Sequence, residues 1–200
     1  IDRYYRHAVR LVGDRVAFGP SGDTTRLRFN GCVALGGVRW ANDWDVPPAE
    51  RTDYDVFLWR SKSAEPGTGL LVESSTLDQR AGDPPLEHLL SRHCPDADGA
   101  LYLEIERTAG EPAGDVLEIL DYGDGMAQFT QAAYAASTSI VDSTAPAVVA
   151  VGAVDPPASG AIGDYSSRGP TNDGRVAPAV VAPAGFPNAT LLTTFSGTSA

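Results

Sequence analysis

The sequence predicts a mostly β chain: an antiparallel β-sandwich over residues 22–129, flanked by a short leading piece (1–21) and an α/β piece with parallel sheet elements (130–200). Three observations carry that prediction. Between residues 22 and 129, apolar and polar residues alternate with the period of two that half-buried strands require. Turn signals interrupt the alternation at a spacing of roughly 8–12 residues, as in antiparallel sandwiches. From about residue 130 the texture changes to Ala/Val-rich, with short β-branched runs of the kind found in parallel sheets.

The candidate strands follow in order: Thr24–Phe29, Val33–Trp40, Tyr54–Trp59, Gly69–Ser74, Pro85–Leu90, Ala100–Arg107 and Val116–Asp121. The clearest is Ala100–Arg107. Leu101, Leu103 and Ile105 fall on one face and Tyr102, Glu104 and Glu106 on the other. Turns are signalled by Asp43, Asp45, Pro47 and Pro48, by Pro66 and Gly67, and by Asp96 and Gly99. The stretch contains no convincing amphipathic helix. Residues 1–20 are mixed and Arg-rich, with Tyr4, Tyr5 and His7, and are expected to lie outside the sandwich.

The chain has 200 residues, 42% of them apolar, enough for one large or two small domains. Its formal net charge of -11 argues against nucleic-acid binding, which requires a basic face, and against an anionic membrane surface. No run of apolar residues is long enough to span a bilayer. Lys62 is the only lysine, so the positive charge is carried almost entirely by arginine. Cys32 and Cys94 are too few and too far apart for a zinc site, which leaves a disulfide or two buried thiols. Asp43, Asp45, Asp53 and Asp55 form the one dense carboxylate group. They are weak calcium candidates, because no Asp-x-Asp-x-Asp-Gly loop accompanies them; solvated turns and capping carboxylates are the alternative.

The last residues carry the chemistry. Ser196, Gly197 and Thr198 lead into Ser199 and Ala200. Small residues directly before a serine suit a nucleophile on a tight strand-to-helix turn, where backbone must approach the substrate closely. Upstream lie the apolar run Ala147–Ala153, a loop from Tyr165 to Pro170, a turn from Thr171 to Gly174, and a second apolar run, Val180–Gly185. In that order and spacing, residues 145–200 resemble the C-terminal half of the subtilisin-like serine proteases. That family carries a Val-Gly-Ala-Val strand, a Phe/Tyr-Ser-Ser-x-Gly-Pro loop, a Lys-Pro-Asp-Val-x-Ala-Pro-Gly segment and a Gly-Thr-Ser-Met/Ala-Ala nucleophile block. The chain departs from the pattern at Ala177, Pro178 and Ala179, which stand where the family has Lys-Pro-Asp.

The resemblance implies a peptide-bond hydrolase acting on polypeptides, with Ser199 as nucleophile and as one oxyanion donor. It also places Gly197 and Thr198 beside the substrate chain and Tyr165 on the leaving-group side. The family's Asp-x-Gly and His-Gly-Thr motifs do not occur in the sequence, and none of His7, His88 and His93 precedes Gly-Thr. The chain is therefore expected to be an incomplete piece, inactive alone, whose oxyanion asparagine would lie upstream. The stretches around Val16–Asp23, Arg39–Asp43 and Thr52–Leu58 resemble the β-sandwich inserts of some exported bacterial subtilases, and the jelly-roll modules attached to secreted peptidases. They imply an insert between the asparagine and the nucleophile, and a secreted protein. The competing expectation is a non-catalytic protein- or glycan-binding sandwich attached to an inactive protease remnant, with Trp40, Trp44 and Trp59 as contacts.

Overall fold

The computed structural model describes residues 3–18, 24–40, 44–97, 99–122, 126–127, 133–134, 149–154, 162–163, 166, 175–188 and 193–195. The chain divides into two compact units, residues 1–134 and 135–200. The first is all β among the described residues, apart from a single 3-10 turn at Pro48–Glu50.

Among the described residues that unit has twelve strands: β1 (Arg3–Ala8), β2 (Leu11–Val12), β3 (Arg15–Val16), β4 (Arg26–Asn30), β5 (Leu35–Trp40), β6 (Asp53–Ser61), β7 (Leu70–Ser75), β8 (Leu86–Glu87), β9 (Ala100–Ala109), β10 (Val116–Asp121), β11 (Met126–Ala127) and β12 (Ala133–Tyr134). One sheet has the order β12-β1-β10-β5-β8. In the other, β9 pairs with β6 along one edge and with β4 and β3 along the opposite edge, and β7 flanks β6. The orders β1-β10-β5-β8 and β4-β9-β6-β7 are those of a jelly roll, two interleaved Greek keys. All the pairings within these sheets are antiparallel.

The boundaries differ from those expected. β1 pairs over its whole length with β10, from Arg3 opposite Asp121 to Ala8 opposite Val116. Residues 3–18 therefore belong to the roll, because its first and last strands must be neighbours. At the far end β12 pairs with β1, which carries the unit past residue 129 to Tyr134. The segment Pro85–Leu90 yields only the two-residue strand β8.

The core lies between the two sheets. Leu101, Leu103 and Ile105 of β9 are fully buried and meet residues such as Trp40, Val38 and Ile119 from the other sheet. Trp40 packs edge-on against Tyr54 at 5.0 Å between ring centroids. The Tyr54 hydroxyl donates to the Asp115 carboxylate at 2.8 Å, so the buried phenol is satisfied.

The outward face of β9 is not simply solvated. Tyr102 and Glu104 are buried, although the alternation alone places them outside. The cause is Arg26 of β4, directly opposite Glu104 in the ladder. Its Nε donates to Glu104 at 2.8 Å, its Nη1 to the Thr68 carbonyl at 2.8 Å, and its guanidinium lies 4.8 Å from the Trp59 ring centroid. On the other sheet Arg39 and Glu118 form a second cross-strand ion pair.

Cys32 and Cys94 are joined as a disulfide, with Cα atoms 4.0 Å apart. The bond ties the β4–β5 connection to the β8–β9 connection, beside the antiparallel bridge between Val33 and His93.

Two outcomes follow. Glu104→Ala leaves the Arg26 guanidinium buried without its countercharge and is expected to cost about 3–5 kcal/mol, measured by urea unfolding. Replacing both cysteines by serine frees a loop of 62 residues in the unfolded chain. The expected loss is about 4 kcal/mol on the chain-entropy model, read from the same unfolding curves with and without reductant.

Candidate functional site

The second unit holds the protease-like blocks. Its described strands are β13 (Val151–Val154), β14 (Val180–Pro183), β15 (Phe186–Asn188) and β16 (Thr193–Phe195). β13 and β14 pair in parallel, with Val151 opposite Val180 and Val154 opposite Pro183. β15 and β16 form an antiparallel pair. Parallel pairing of the two apolar runs is the α/β feature expected from their β-branched composition.

Gly152 has a steric reason. A Cβ there would sit 2.6 Å from Pro178 Cγ and 3.1 Å from Ser166 Oγ. The close approach lets Ser166, from the Tyr165–Pro170 loop, reach the strand. Its buried hydroxyl oxygen accepts the Ala153 N–H at 2.9 Å, while Gly163 N–H donates to the Ala153 carbonyl at 2.9 Å. One serine of the Ser-Ser pair is thus a structural pin that satisfies the backbone of β13. The Ala184 N–H donates to the Val154 carbonyl at 2.8 Å, so the chain stays bonded to β13 past the end of β14.

The burial of this parallel pair is uneven. Gly152 and Ala153 are buried, but Val151, Val180 and Val181 are exposed. The reason is that the described sheet has two strands only, and no described element covers its valines.

β16 ends at Phe195, immediately before Ser196. Gly197, Thr198, Ser199 and Tyr165 lie outside the described residues. Asp43 does as well. Asp45 is exposed in a turn, Asp53 is buried at the start of β6, and Asp55 is half-buried two residues on. Among the described residues no group of three or more His, Cys, Asp or Glu side chains is placed to hold a metal ion.

Two histidines of the roll, His7 and His93, are engaged structurally. His7 is buried with Nε2 2.8 Å from the Ala17 carbonyl and its ring 5.1 Å from Phe18. Burial, with a smaller contribution from Arg10, holds its imidazole below the usual value, despite the opposing bond to Ala17. His93 Nε2 lies 2.8 Å from Glu73. Of the tryptophans proposed as ligand contacts, Trp40 is fully buried in the core and Trp59 lies against Arg26, while Trp44 is largely exposed.

Sequence reasoning missed Glu87. It is fully buried and accepts from Ser75 Oγ, from Leu77 N–H at 2.8 Å and from Gln79 Nε2 at 2.7 Å. All three donors lie within twelve residues of it, a local pattern that neither periodicity nor a motif marks.

Residues 124–200 match the family model of the subtilases. No curated protein and no solved structure matches the chain.

Ser166→Ala removes the acceptor for a buried backbone N–H. The expected cost to the second unit is about 1–3 kcal/mol, with faster hydrogen exchange at the Ala153 amide as the direct readout.

Proposed function

We propose that the chain is part of a subtilisin-like serine endopeptidase, with Ser199 as nucleophile and the jelly roll as an insert in the catalytic domain. The observation that carries this reading is the subtilase match over residues 124–200, which ends on the Gly197-Thr198-Ser199 block. The parallel β13–β14 pair and the Ser166 pin support it, because they give the flanking motifs a common scaffold.

In this reading Ser199 Oγ attacks the carbonyl carbon of a peptide bond and passes its proton to a histidine. The tetrahedral oxyanion is held by the Ser199 N–H and an asparagine amide, each donor contributing about 3–4 kcal/mol to the barrier reduction. Collapse expels the amine and leaves an acyl-enzyme, which water hydrolyses. Gly197 and Thr198 present backbone to the substrate, and Tyr165 borders the leaving group. The histidine, its orienting carboxylate and the asparagine come from sequence other than residues 1–200, where the family motifs for them do not occur.

The Cys32–Cys94 disulfide supports an oxidising compartment, and so export, since such bonds are rarely maintained in the cytosol.

The test compares the 200-residue chain with the full-length protein, each as wild type and as Ser199→Ala, on a generic peptide substrate and a fluorophosphonate label. Only wild-type full-length protein should turn over substrate and take the label, with the substituted protein at background. Full activity in full-length Ser199→Ala would overturn the assignment. Ser199-dependent turnover by the short chain would show that the base and its carboxylate lie within residues 1–200.

A further inference from the structure

We propose that the carboxylates of Asp53, Asp55, Glu87 and Glu106 make the jelly roll a proton-responsive module that takes up a proton and tightens on mild acidification.

The geometry is that of charge crowding without neutralisation. Asp55 of β6 and Glu106 of β9 are directly opposite each other in the ladder. Like charges in that position repel. Asp53 lies two residues before Asp55 on β6, is 9% exposed, and its Oδ1 has no hydrogen-bond partner among the described residues. Glu87, from β8 in the other sheet, is fully buried. Through Gln79, whose Oε1 accepts the Tyr54 N–H at 3.3 Å, it joins the edge of β6.

Of the cations on the neighbouring strands, Arg15 of β3 faces Glu106 in register, with its Nε 3.8 Å from Glu104 and in no hydrogen bond among the described residues. Arg107 of β9 pairs with Asp14 at 2.6 Å and Glu111 at 3.1 Å. Arg26 is held by Glu104. Among the described residues no ion pair reaches any of the four carboxylates.

The titration behaviour agrees. Burial first, then the charges of Asp53, Glu87 and Glu106, push Asp55 up to about 6 from 3.8. Burial also raises Glu87, against the three hydrogen bonds it accepts. A carboxyl raised in the folded state binds more protons folded than unfolded, so its ionised form costs stability above about 6, and that cost is lifted as pH falls from about 6 through 3.8. His7 acts in the opposite direction: held neutral by burial, it loses stability as pH falls through the unfolded value of 6.5. The difference between wild type and an Asp55 variant cancels the His7 contribution.

The experiment is urea unfolding of the 200-residue chain followed by tryptophan fluorescence. All three tryptophans lie in the roll, so the signal reports that unit alone. Asp55→Asn should favour the folded state by about tenfold near pH 7.5, after discounting the full shift for partial exposure, and the gain should shrink below pH 5 and vanish near pH 3. Glu106→Gln should give a smaller gain of the same sign near pH 7.5. A direct measurement, carbon NMR titration of the Asp55 carboxyl in the unsubstituted chain, should show a midpoint clearly above the ordinary 3.8. No gain near pH 7.5 in either variant, a gain that persists unchanged near pH 3, or an Asp55 midpoint near 4 would overturn the proposal. If Asp55→Asn does not fold, Glu106→Gln and the titration decide. None of these readouts depends on peptidase activity.

Discussion

The roll is organised around β9, a ten-residue strand bonded along both edges. β6 runs beside it from Asp53 to Ser61, while β4 and β3 share the opposite edge. That double pairing leaves one workable register. With Leu101, Leu103 and Ile105 inward, Tyr102, Glu104 and Glu106 must face out; a slip of one residue would drive two carboxylates into the core. The same register that sets Val56 opposite Ile105 sets Asp55 opposite Glu106. The repulsion between those carboxylates accompanies a well-packed core; it is not an isolated defect.

Buried charge in the roll is handled in two ways. Arg26 with Glu104 and Arg39 with Glu118 are neutralised across adjacent strands, and the first pair is roofed by Trp59. Glu87 has no cation and is held by three donors from a single neighbouring segment. The first arrangement fixes the order of strands that are distant in sequence. The second fixes a local strap, residues 75–87, against the edge of β6. In a chain of net charge -11, hydrogen-bond donors take over part of the task of holding buried acids.

Much of the roll was legible because β9 and β10 announce themselves. Leu101, Leu103 and Ile105 alternate without a break, and Val116–Asp121 was delimited as observed. β1 was not legible. Arg3–Ala8 carries two arginines and a histidine, and His7 is buried only because the Ala17 carbonyl and the Phe18 ring receive it, partners that no local pattern reveals. Pro85–Leu90 was read as a full strand from its leucines, but Leu90 is 82% exposed and its N–H is taken by the Glu73 side chain. In the second unit the motif order carried the reading. The structural role of Ser166 was not visible until Gly152 was seen to make room for it.

The ladder that sets Tyr5 against Tyr134 brings the first and last strands of the roll side by side. More than a hundred residues separate the two positions along the chain, yet they face each other across one strand spacing, about 5 Å. A polypeptide that departs from some other framework at the first point is returned to it at the second, displaced by no more than the width of a hairpin. Such a module can be carried within a host loop as a side-branch, its own growth or loss of strands leaving the geometry of the host undisturbed.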